Sequence, residues 1–333
     1  MNLLIPGGAG YIGSHMVKFL QEQNHDVVVL DNFSTGNKWS IQNCEILNVD
    51  LLDSKKLSKL LKGRKFDGVI HFAAKSLVGE SLKIPDFYYR NNVVGTLNLI
   101  NEMIRNNNNN LIFSSSAAIF GNPISDVICE DHPKEPINPY GKSKLMVEKI
   151  IHDTCKAYQL SATCLRYFNA AGAHHTAEIG EYHNPETHII PNIIKSLLMD
   201  KIFKIYGNDY PTKDGTCIRD YIHVDDLAKA HLLSLENNID NPGYYEFNLG
   251  CGAGYSIFDL IKSCEKVANK KVKYEIHARR KGDPDNLIAD INKAKNILGW
   301  SPKYKDLDKI TASAFRWHKK LINDDKMPLS FGE

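Results

Sequence analysis

The sequence predicts an α/β protein with a doubly wound parallel sheet, followed by a smaller C-terminal α/β domain. In the first half of the chain, short apolar runs alternate with helical patterns, which places helices on both faces of a parallel sheet. After about residue 169, loops rich in glycine, proline, asparagine and histidine separate the remaining helical patterns. We therefore expect residues 1–168 to bind a cofactor and residues 169–333 to be mainly a substrate domain, interleaved with the first.

Each element is predicted from an apolar run or from helical spacing. Strands are expected at residues 3–5, 27–30, 69–71, 111–113 and 162–165. Helices are expected near residues 11–23, 54–62, 86–105, 140–158, 189–199, 224–236, 256–269 and 307–320. The asparagine run at 106–110 follows a helical pattern, and we expect it to form a solvated loop without a function.

Composition excludes several classes of protein. The 333 residues carry 41 Lys and Arg against 39 Asp and Glu, a net charge of +2, which argues against nucleic acid or an anionic membrane as partner. The seven cysteines are widely spaced without a CxxC pair, so we expect reduced thiols, no metal site and a cytoplasmic protein. The sequence shows neither a signal peptide nor a run of about 18 apolar residues, so we expect no membrane segment.

A glycine-rich loop follows the first predicted strand and opens the first predicted helix. It reads GGAGYIG at residues 7–13. Such glycines allow a tight turn and let backbone N–H groups approach a pyrophosphate at the helix N-terminus. Asp31 lies 18 residues after Gly13, where a carboxylate accepts from both ribose hydroxyls and repels a 2′-phosphate. The pattern predicts NAD as the cofactor; the alternative is a structural turn followed by a capping aspartate.

A tyrosine–lysine pair opens the helical pattern after Pro139. Tyr140 and Lys144 share a helix face, about 6 Å apart along the axis. A cation there lowers the pKa of the tyrosine toward neutral, so that Tyr140 can act as a general base and acid. Ser116 lies just past the strand at 111–113, where ligands bind in such sheets. The alternative is an ordinary surface pair.

Together these features resemble the extended short-chain dehydrogenase/reductase superfamily. Longer segments are similar to the UDP-glucose 4-epimerase family within it, and they cover nearly the whole chain. They include GGAGYIGSH at 7–15, HFAAKSLVGES at 71–81, NPYGKSKLMVE at 138–148, IYGNDYPTKDGTCIRDYIHVDDLA at 205–228 and ARRKGDPDNLIAD at 278–290. The resemblance implies a Rossmann-like sheet, tightly bound NAD, and interconversion of UDP-glucose and UDP-galactose through transient oxidation at sugar C4. It also implies a homodimer built from the helices near 86–105 and 140–158.

The resemblance also assigns roles to residues. In catalysis, Tyr140 would move the proton of the C4 hydroxyl, Ser116 would align that oxygen, and Lys144 would bind the nicotinamide ribose. Cofactor contacts fall on Gly7, Gly10, Tyr11, Ile12, Gly13, Asp31, Asn32, Phe33, Ser34, Thr35, Gly36, Asp50, Leu51, Phe72, Ala73, Ala74, Lys75, Ser76, Asn91 and Phe168. Substrate contacts fall on Asn169, His188, Ile189, Arg219, Arg280, Asp283 and Leu287. Among these, the two arginines would clamp the diphosphate and Asp283 would accept from the uridine ribose.

Some positions depart from the family pattern. Ala118 replaces a serine or threonine of many members, which removes one possible hydrogen bond to the substrate. Ser76 stands where some members have a lysine, and Lys75 is its neighbour. Leu287 aligns with a position where tyrosine restricts some members to non-acetylated sugars. The smaller side chain predicts that UDP-N-acetylglucosamine and UDP-N-acetylgalactosamine are also accepted.

Three other functions are alternatives to the one that the resemblance implies. A nucleotide-sugar 4,6-dehydratase needs an acid pair after the strand-end serine, but Ser116 is followed by two alanines. A UDP-glucuronate 4-epimerase is closer, and a substrate assay separates it from the preferred function. A non-catalytic NAD-binding sensor would be expected to lack the tyrosine or the lysine, and both Tyr140 and Lys144 are present.

Overall fold

The computed structural model describes residues 1–280 and 283–323, and fifteen strands lie in that part of the chain. In chain order the strands are β1 (Asn2–Pro6), β2 (Asp26–Asp31), β3 (Glu45–Asn48), β4 (Gly68–His71), β5 (Asn110–Ser116), β6 (Val127–Ile128), β7 (Ser161–Tyr167), β8 (Asn169–Ala171), β9 (Phe203–Tyr206), β10 (Ile218–Arg219), β11 (Tyr221–His223), β12 (Tyr244–Leu249), β13 (Tyr255–Ser256), β14 (Tyr274–His277) and β15 (Asn286–Ala289).

Eleven α-helices are found in the same described residues. They are α1 (Tyr11–Glu22), α2 (Ser54–Leu61), α3 (Val78–Ser81), α4 (Pro85–Tyr88), α5 (Gly95–Arg105), α6 (Pro139–Tyr158), α7 (Ile189–Met199), α8 (Val224–Asp240), α9 (Ile257–Ala268), α10 (Asn292–Leu298) and α11 (Leu307–Asn323). A π-helical segment, Tyr89–Val94, joins α4 to α5, so the single helix expected over 86–105 is instead composite. None of the helices in the described ranges combines the length and apolar character needed to cross a bilayer.

A seven-stranded parallel sheet in the order β12-β7-β5-β4-β1-β2-β3 forms the centre of the fold. Alternate side chains of β1 point to opposite faces: Leu3 and Ile5 pack into one apolar cluster and Leu4 into another. The first cluster includes residues of α1 and α8, and the second includes residues of α2, α5 and α6. Helices therefore cover both faces of the sheet, and the doubly wound α/β prediction is confirmed.

Two strands of this sheet and two short helices, α3 and α10, were not predicted from the sequence. The edge strand β3 has only one buried residue, Leu47, so its apolar signal is weak. Strand β12 comes from the second half of the chain, yet it pairs along its whole length with β7. Helix α10 is short and has only two buried residues. The division at residue 168 stays a prediction, and residues 324–333 of its second part lie outside the described residues.

A third apolar cluster forms within the second half of the chain. It includes buried residues of α7, α9 and α11 together with strands such as β9 and β11. Small sheets join this region to the rest: β10 pairs with β15, and β15 pairs with β6 from the first half. The cluster provides a separate core beside the seven-stranded sheet.

The asparagine run is not simply a solvated loop, which corrects that expectation. Asn106 and Asn108 are buried. The side-chain oxygen of Asn106 accepts from the Gly63 amide at 2.8 Å, and that of Asn108 accepts from the Phe66 amide at 2.9 Å. These side chains satisfy the backbone before β4, because buried N–H groups need partners. The role of the run is structural.

The order of strands determines where a ligand can bind. From β1 the chain first builds outward through β2 and β3, and then returns to build the other side from β4. Such a switch point leaves a crevice at the carboxyl ends of the strands. The glycine loop after β1 and Phe72 after β4 both lie at this end of the sheet.

Candidate active site

A cleft lies at the switch point, beyond the ends of β1, β2 and β4. Most residues expected to contact the cofactor line it: Gly7, Gly10, Asp31, Asn32, Ser34, Thr35, Gly36, Asp50, Leu51, Phe72, Ala73, Ala74, Lys75 and Asn91. Leu30 and Val49 also line it and were not expected. Tyr11, Ile12, Gly13, Phe33, Ser76 and Phe168 are not among the lining residues.

The glycine loop brings the start of α1 to the strand ends. A Cβ on Gly7 would lie 2.4 Å from the backbone nitrogen of Ala73, and Gly7 has a φ of +80°. A Cβ on Gly13 would lie 2.2 Å from the carbonyl oxygen of Gly7. The N-cap, Gly10, offers no side chain to the first amides of α1, and the first turn contains no acidic residue. These amides can therefore bind an anion placed in the cleft.

The carboxylate of Asp31 lies beside this loop. Its Oδ2 accepts from the Ala9 amide at 3.0 Å, and its Oδ1 accepts from the Phe33 amide at 2.8 Å. Burial raises the pKa of Asp31, and these backbone hydrogen bonds oppose the rise. Because each carboxylate oxygen has a second lone pair, the group can still accept from two ribose hydroxyls.

Helix α6 carries the tyrosine–lysine pair, and local sequence explains where it begins. Pro139 occupies its first turn, and the side chain of Asn138 accepts from the Gly141 amide at 2.8 Å. A Cβ on Gly141 would lie 2.3 Å from the Ala118 carbonyl oxygen, so the glycine lets α6 approach the segment after β5. That segment holds Ser116, whose hydroxyl accepts from the Ala118 amide at 3.1 Å.

The protonation of Tyr140 and Lys144 differs from the expectation. Burial raises the pKa of Tyr140, and a hydrogen bond with Ser116 opposes the rise. Burial also lowers the pKa of Lys144 to about 7. Its Nζ donates to the Ser114 carbonyl oxygen at 2.7 Å and lies 5.9 Å from the centre of the Tyr140 ring. The expected fall in the tyrosine pKa is therefore wrong for the protein by itself, because burial is the largest influence on it.

Asn92 is a site residue that was not predicted from the sequence. Its side chain accepts from the Lys75 amide at 2.8 Å and donates to the Lys75 carbonyl at 3.0 Å and to the Ser143 hydroxyl at 3.0 Å. It thus ties the cleft wall to the helix that carries Tyr140 and Lys144. The available signal was a pair of polar residues, Asn91 and Asn92, inside a helical pattern. Of the two, only Asn91 was predicted to be a site residue.

Three of the expected substrate residues lie around one thiol in the second half of the chain. Burial raises the pKa of Cys217. The charges of Arg219, Asp283 and Arg280 all act on that thiol, so the three residues lie in the same region of the structure. The Arg280 guanidinium also lies 4.1 Å from the centre of the Tyr206 ring. Two guanidinium groups in one place form a suitable environment for phosphate oxygens.

Leu287 links this group to the end of β5. It pairs with Arg219 in the register between β10 and β15. Its side chain packs against a small apolar cluster of Ala117, Ile119, Phe120 and Ile128. Ala117 directly follows Ser116, so this cluster lies at the end of β5.

The remaining expected substrate residues are placed differently. The amide of Asn169 donates to the Asp220 carbonyl at 2.9 Å. His188 is the N-cap residue of α7, and its imidazole contacts Glu181 and Glu186. Ile189 packs against the apolar cluster of α7, α9 and α11. No contact in the described residues joins His188 to the arginine group.

Comparison with known proteins agrees with this geometry. The sequence model described as the NAD dependent epimerase/dehydratase family matches residues 3–250. A UDP-glucose 4-epimerase of Halalkalibacterium halodurans is 46% identical over 321 residues, 96% of this chain and 96% of that protein. Among solved structures, a UDP-glucose 4-epimerase from Brucella ovis in complex with NAD has a TM-score of 0.91 and 43% identity, covering 95% of this chain and 97% of that one.

A third similar protein is named for two UDP-sugars. The UDP-Glc/GlcNAc 4-epimerase from Campylobacter jejuni has a TM-score of 0.83 and 41% identity, covering 96% of this chain and 99% of that one. All these matches span nearly the full length of both proteins. Sequence, fold and cleft agree, and the chain belongs to the UDP-glucose 4-epimerases of the NAD-dependent epimerase/dehydratase family.

Proposed function

We propose that Ser116, Tyr140 and Lys144 form the reaction centre of this isomerase, which interconverts UDP-glucose and UDP-galactose with NAD. The observation that carries the assignment is the close approach of α6 to the end of β5: Gly141 lies against the Ala118 carbonyl, and the Lys144 Nζ donates to the Ser114 carbonyl at 2.7 Å. Asn92 connects the same helix to the wall of the cofactor cleft.

The cleft fits NAD on the evidence of its own residues. Uncapped amides at the start of α1 would hold the pyrophosphate, and Asp31 would accept from a ribose. Asp50 and Leu51 line the same cleft beyond β3, where the adenine would lie. When bound, NAD supplies reversible oxidation of the sugar at C4.

The residues of the chain supply proton transfer and orientation. The Tyr140 phenolate would take the proton of the C4 hydroxyl and later return it, and Ser116 would hydrogen-bond the same sugar oxygen. Because burial raises the pKa of Tyr140, the phenolate needs a cation close to it. Lys144, one helical turn away, is the nearest candidate on the same helix face.

Substrate binding is assigned to the second half of the chain. Arg219 and Arg280 would bind the diphosphate, and Asp283 would accept from the uridine ribose. Asn169 and Ile189 would complete this part of the site. The division into a cofactor domain at 1–168 and a mainly substrate domain at 169–333 rests on this arrangement, although β12 of the second part lies in the first sheet.

One assay tests the activity directly. Purified protein, with its NAD content measured beforehand and with no NAD added, is given UDP-galactose, and UDP-glucose is followed by proton NMR. UDP-glucose should appear until the two sugars reach equilibrium. An NAD-loaded protein that forms no UDP-glucose would contradict the proposal. A parallel sample with UDP-glucuronate tests the alternative 4-epimerase.

Leu287 supports a wider choice of sugar. Its side chain packs against the apolar cluster that contains Ala117, and leucine fills less space than tyrosine. We expect the N-acetylated pair of UDP-sugars to be turned over as well. Leu287→Tyr should lower kcat/KM for UDP-N-acetylglucosamine by about 10–200-fold relative to UDP-glucose. An unchanged ratio of the two values would contradict this specificity role, and Ile288→Val on the same strand is a suitable control.

We also propose a homodimer and a cytoplasmic location. Several apolar side chains on α3 to α6 and the π-helical segment are exposed: Val78, Leu82, Phe87, Val94, Leu97 and Met146. Exposed apolar surface of this kind is typical of a protein–protein interface. All seven cysteines are free, which suits a reducing compartment.

A further inference from the structure

Two glutamates and two histidines meet in a cluster that the proposed reaction does not use. Glu181, His183, Glu186 and His188 each place one ligand-type atom within 4.8 Å of the other three. They lie between β8 and the first residue of α7, in a span of eight positions. Imidazole and carboxylate together are the ligands typical of zinc and similar transition metals, whereas calcium and magnesium prefer oxygen ligands alone.

The distances in the cluster match a tetrahedral zinc site. Zinc–ligand bonds of about 2.0–2.2 Å at tetrahedral angles separate neighbouring ligand atoms by about 3.4 Å. The Nδ1 of His183 lies 3.3 Å from Glu181 Oε1 and 3.7 Å from Glu186 Oε1. The Nδ1 of His188 lies 3.5 Å from Glu186 Oε1 and 2.5 Å from Glu181 Oε1. Three of the four separations agree with one shared cation.

The burial of the carboxylates points the same way, whereas the 2.5 Å separation between His188 Nδ1 and Glu181 Oε1 is that of a direct contact between the two side chains. The Glu181 side chain is 4% exposed and that of Glu186 is 3% exposed. Yet Glu181 Oε1, Glu186 Oε2 and His183 Nδ1 have no hydrogen-bond partner of normal geometry. Buried carboxylate oxygens without a hydrogen bond are costly unless a cation lies next to them. Glu181 Oε1 is also the atom nearest to both imidazoles, so its lone pairs face into the cluster.

Groups on three helices face the cluster. The ring of Tyr11, at the start of α1, makes an edge contact with His183, with ring centres 6.4 Å apart. The charges of both glutamates act on Lys195 of α7 and on His318 of α11. The backbone oxygen of Glu181 accepts from the Trp317 indole at 2.8 Å. A cation here would hold the loop before α7 together at a point beside the start of α1.

We propose that Glu181, His183, Glu186 and His188 form a structural zinc site beside the start of α1. Two carboxylates and two neutral imidazoles balance the charge of Zn²⁺ and complete four-coordination. The proposal replaces the expectation that the chain holds no metal, and it makes His188 a metal ligand rather than a substrate contact. It does not depend on the proposed activity.

The alternative is a pair of histidine–glutamate ion pairs without metal. The neighbouring carboxylates raise the pKa of His183 to about 9 against the effect of burial, and they raise that of His188 as well. Histidine ligands of zinc must be deprotonated, so zinc binding at this cluster should release protons. Ion pairs alone would show no such release.

The test uses the full-length, wild-type protein. After dialysis against a chelator, zinc is added back and measured by competition with a chromogenic chelator and by elemental analysis. We expect about one zinc ion per chain with a dissociation constant below about 1 µM, because structural zinc sites bind with about 10–16 kcal/mol. Titration calorimetry in buffers of different ionisation enthalpy measures the proton release. Magnesium and calcium serve as comparison ions and should not bind at concentrations near the expected dissociation constant for zinc.

Variants then locate the ion. His183→Gln and His188→Gln should each weaken zinc binding by about 100-fold or more, because the loss of even an outer partner of a metal ligand costs about 10–100-fold. His175→Gln, at an exposed histidine of the same loop, should bind zinc like the wild type. Wild-type protein without stoichiometric zinc at about 100 µM would overturn the proposal, whatever the variants do. Unchanged binding in both folded variants would overturn the ligand assignment.

Discussion

At the scale of single residues, the proposed proton transfer depends on the hydroxyl of Tyr140. Replacing it with hydrogen in Tyr140→Phe keeps the buried ring but removes the group that moves the proton. We expect kcat to fall by about 10²–10⁴-fold, as for the loss of a general acid–base group. Steady-state epimerisation measures this, together with bound NAD to show that the cleft is intact. Tyr158→Phe, at the exposed end of the same helix, is the control, and full activity in Tyr140→Phe would refute the assignment.

The buried amine of Lys144 makes stability depend on pH in a definite direction. Its pKa is about 7 in the folded protein and 10.5 when unperturbed, so the folded state holds fewer protons between these values. Stability therefore rises with pH across this range. The cost of burying the ammonium is full below about pH 7 and disappears toward pH 10.5.

The cost of burying the Lys144 ammonium predicts how the stability of Lys144→Met depends on pH. The change also removes the hydrogen bond to the Ser114 carbonyl, which lowers stability at every pH. The variant's Tm minus the wild-type Tm should nevertheless be more positive near pH 6 than near pH 9.5. Thermal melts of both proteins at the two pH values measure it. Lys149→Met, exposed on the same helix, should show no such trend, and an equal difference at both pH values for Lys144→Met would refute the direction.

At the scale of elements, an ion pair fixes α6 against the sheet. Arg166 on β7 is fully buried and donates to both carboxylate oxygens of Glu148, at 3.0 and 2.8 Å. The Ser115 hydroxyl donates to the same carboxylate at 2.5 Å, and Arg166 also contacts Glu246 of β12. Glu148 lies one turn after Lys144, so this network sets where the catalytic helix meets β5 and β7.

Removing one member of the network should be costly. Glu148→Leu leaves the Arg166 guanidinium buried with only part of its charge compensated, and we expect a loss of about 3–5 kcal/mol in the free energy of unfolding. Urea denaturation measures it. The double variant Glu148→Leu with Arg166→Met removes both charges and should recover much of the loss. A double variant no more stable than the single one would show that the ion pair is not the cause.

The same elements show what the sequence could predict. Strand β1 was predicted because both of its faces are buried, which gives a continuous apolar run, and α1 was predicted because one of its faces is buried. Strand β12 was missed because its Tyr244, Tyr245 and Glu246 are only partly buried and it pairs with a strand far earlier in the chain. The glycine loop and the Tyr140–Lys144 pair could be found from local spacing, whereas the actual pKa of Tyr140 depends on burial that only the fold defines.

At the scale of the whole molecule, the two halves of the chain are interleaved. Strand β12 lies in the seven-stranded sheet of the first half, and β10 is joined through β15 to β6, which comes from the first half. The sequence pattern indicated a change of character near residue 169, but it could not show that later strands return to earlier ones. Pairings between distant segments leave no local pattern, which is why residues such as Asn92 and Cys217 were not recognised.

The proposed dimer is also a property of the whole molecule. Val94 and Leu97 remain 45% and 40% exposed on the paired α5 and α6 side of the fold, and Met146 of α6 is 44% exposed. An interface over these side chains would bury them in a second copy of the chain. A charge placed there would be desolvated without a partner, which is strongly unfavourable.

Leu97→Glu should therefore dissociate the dimer. Light scattering after size exclusion should give about twice 37.6 kDa for the wild type and 37.6 kDa for the variant. Ile202→Glu, at an exposed isoleucine before β9 and far from these helices in sequence, should leave the dimer intact. A monomeric wild type would refute the dimer itself, and a dimeric Leu97→Glu would place the interface elsewhere. Because the reaction centre and the arginine group lie within one chain, each dissociated subunit should keep its complete set of site residues.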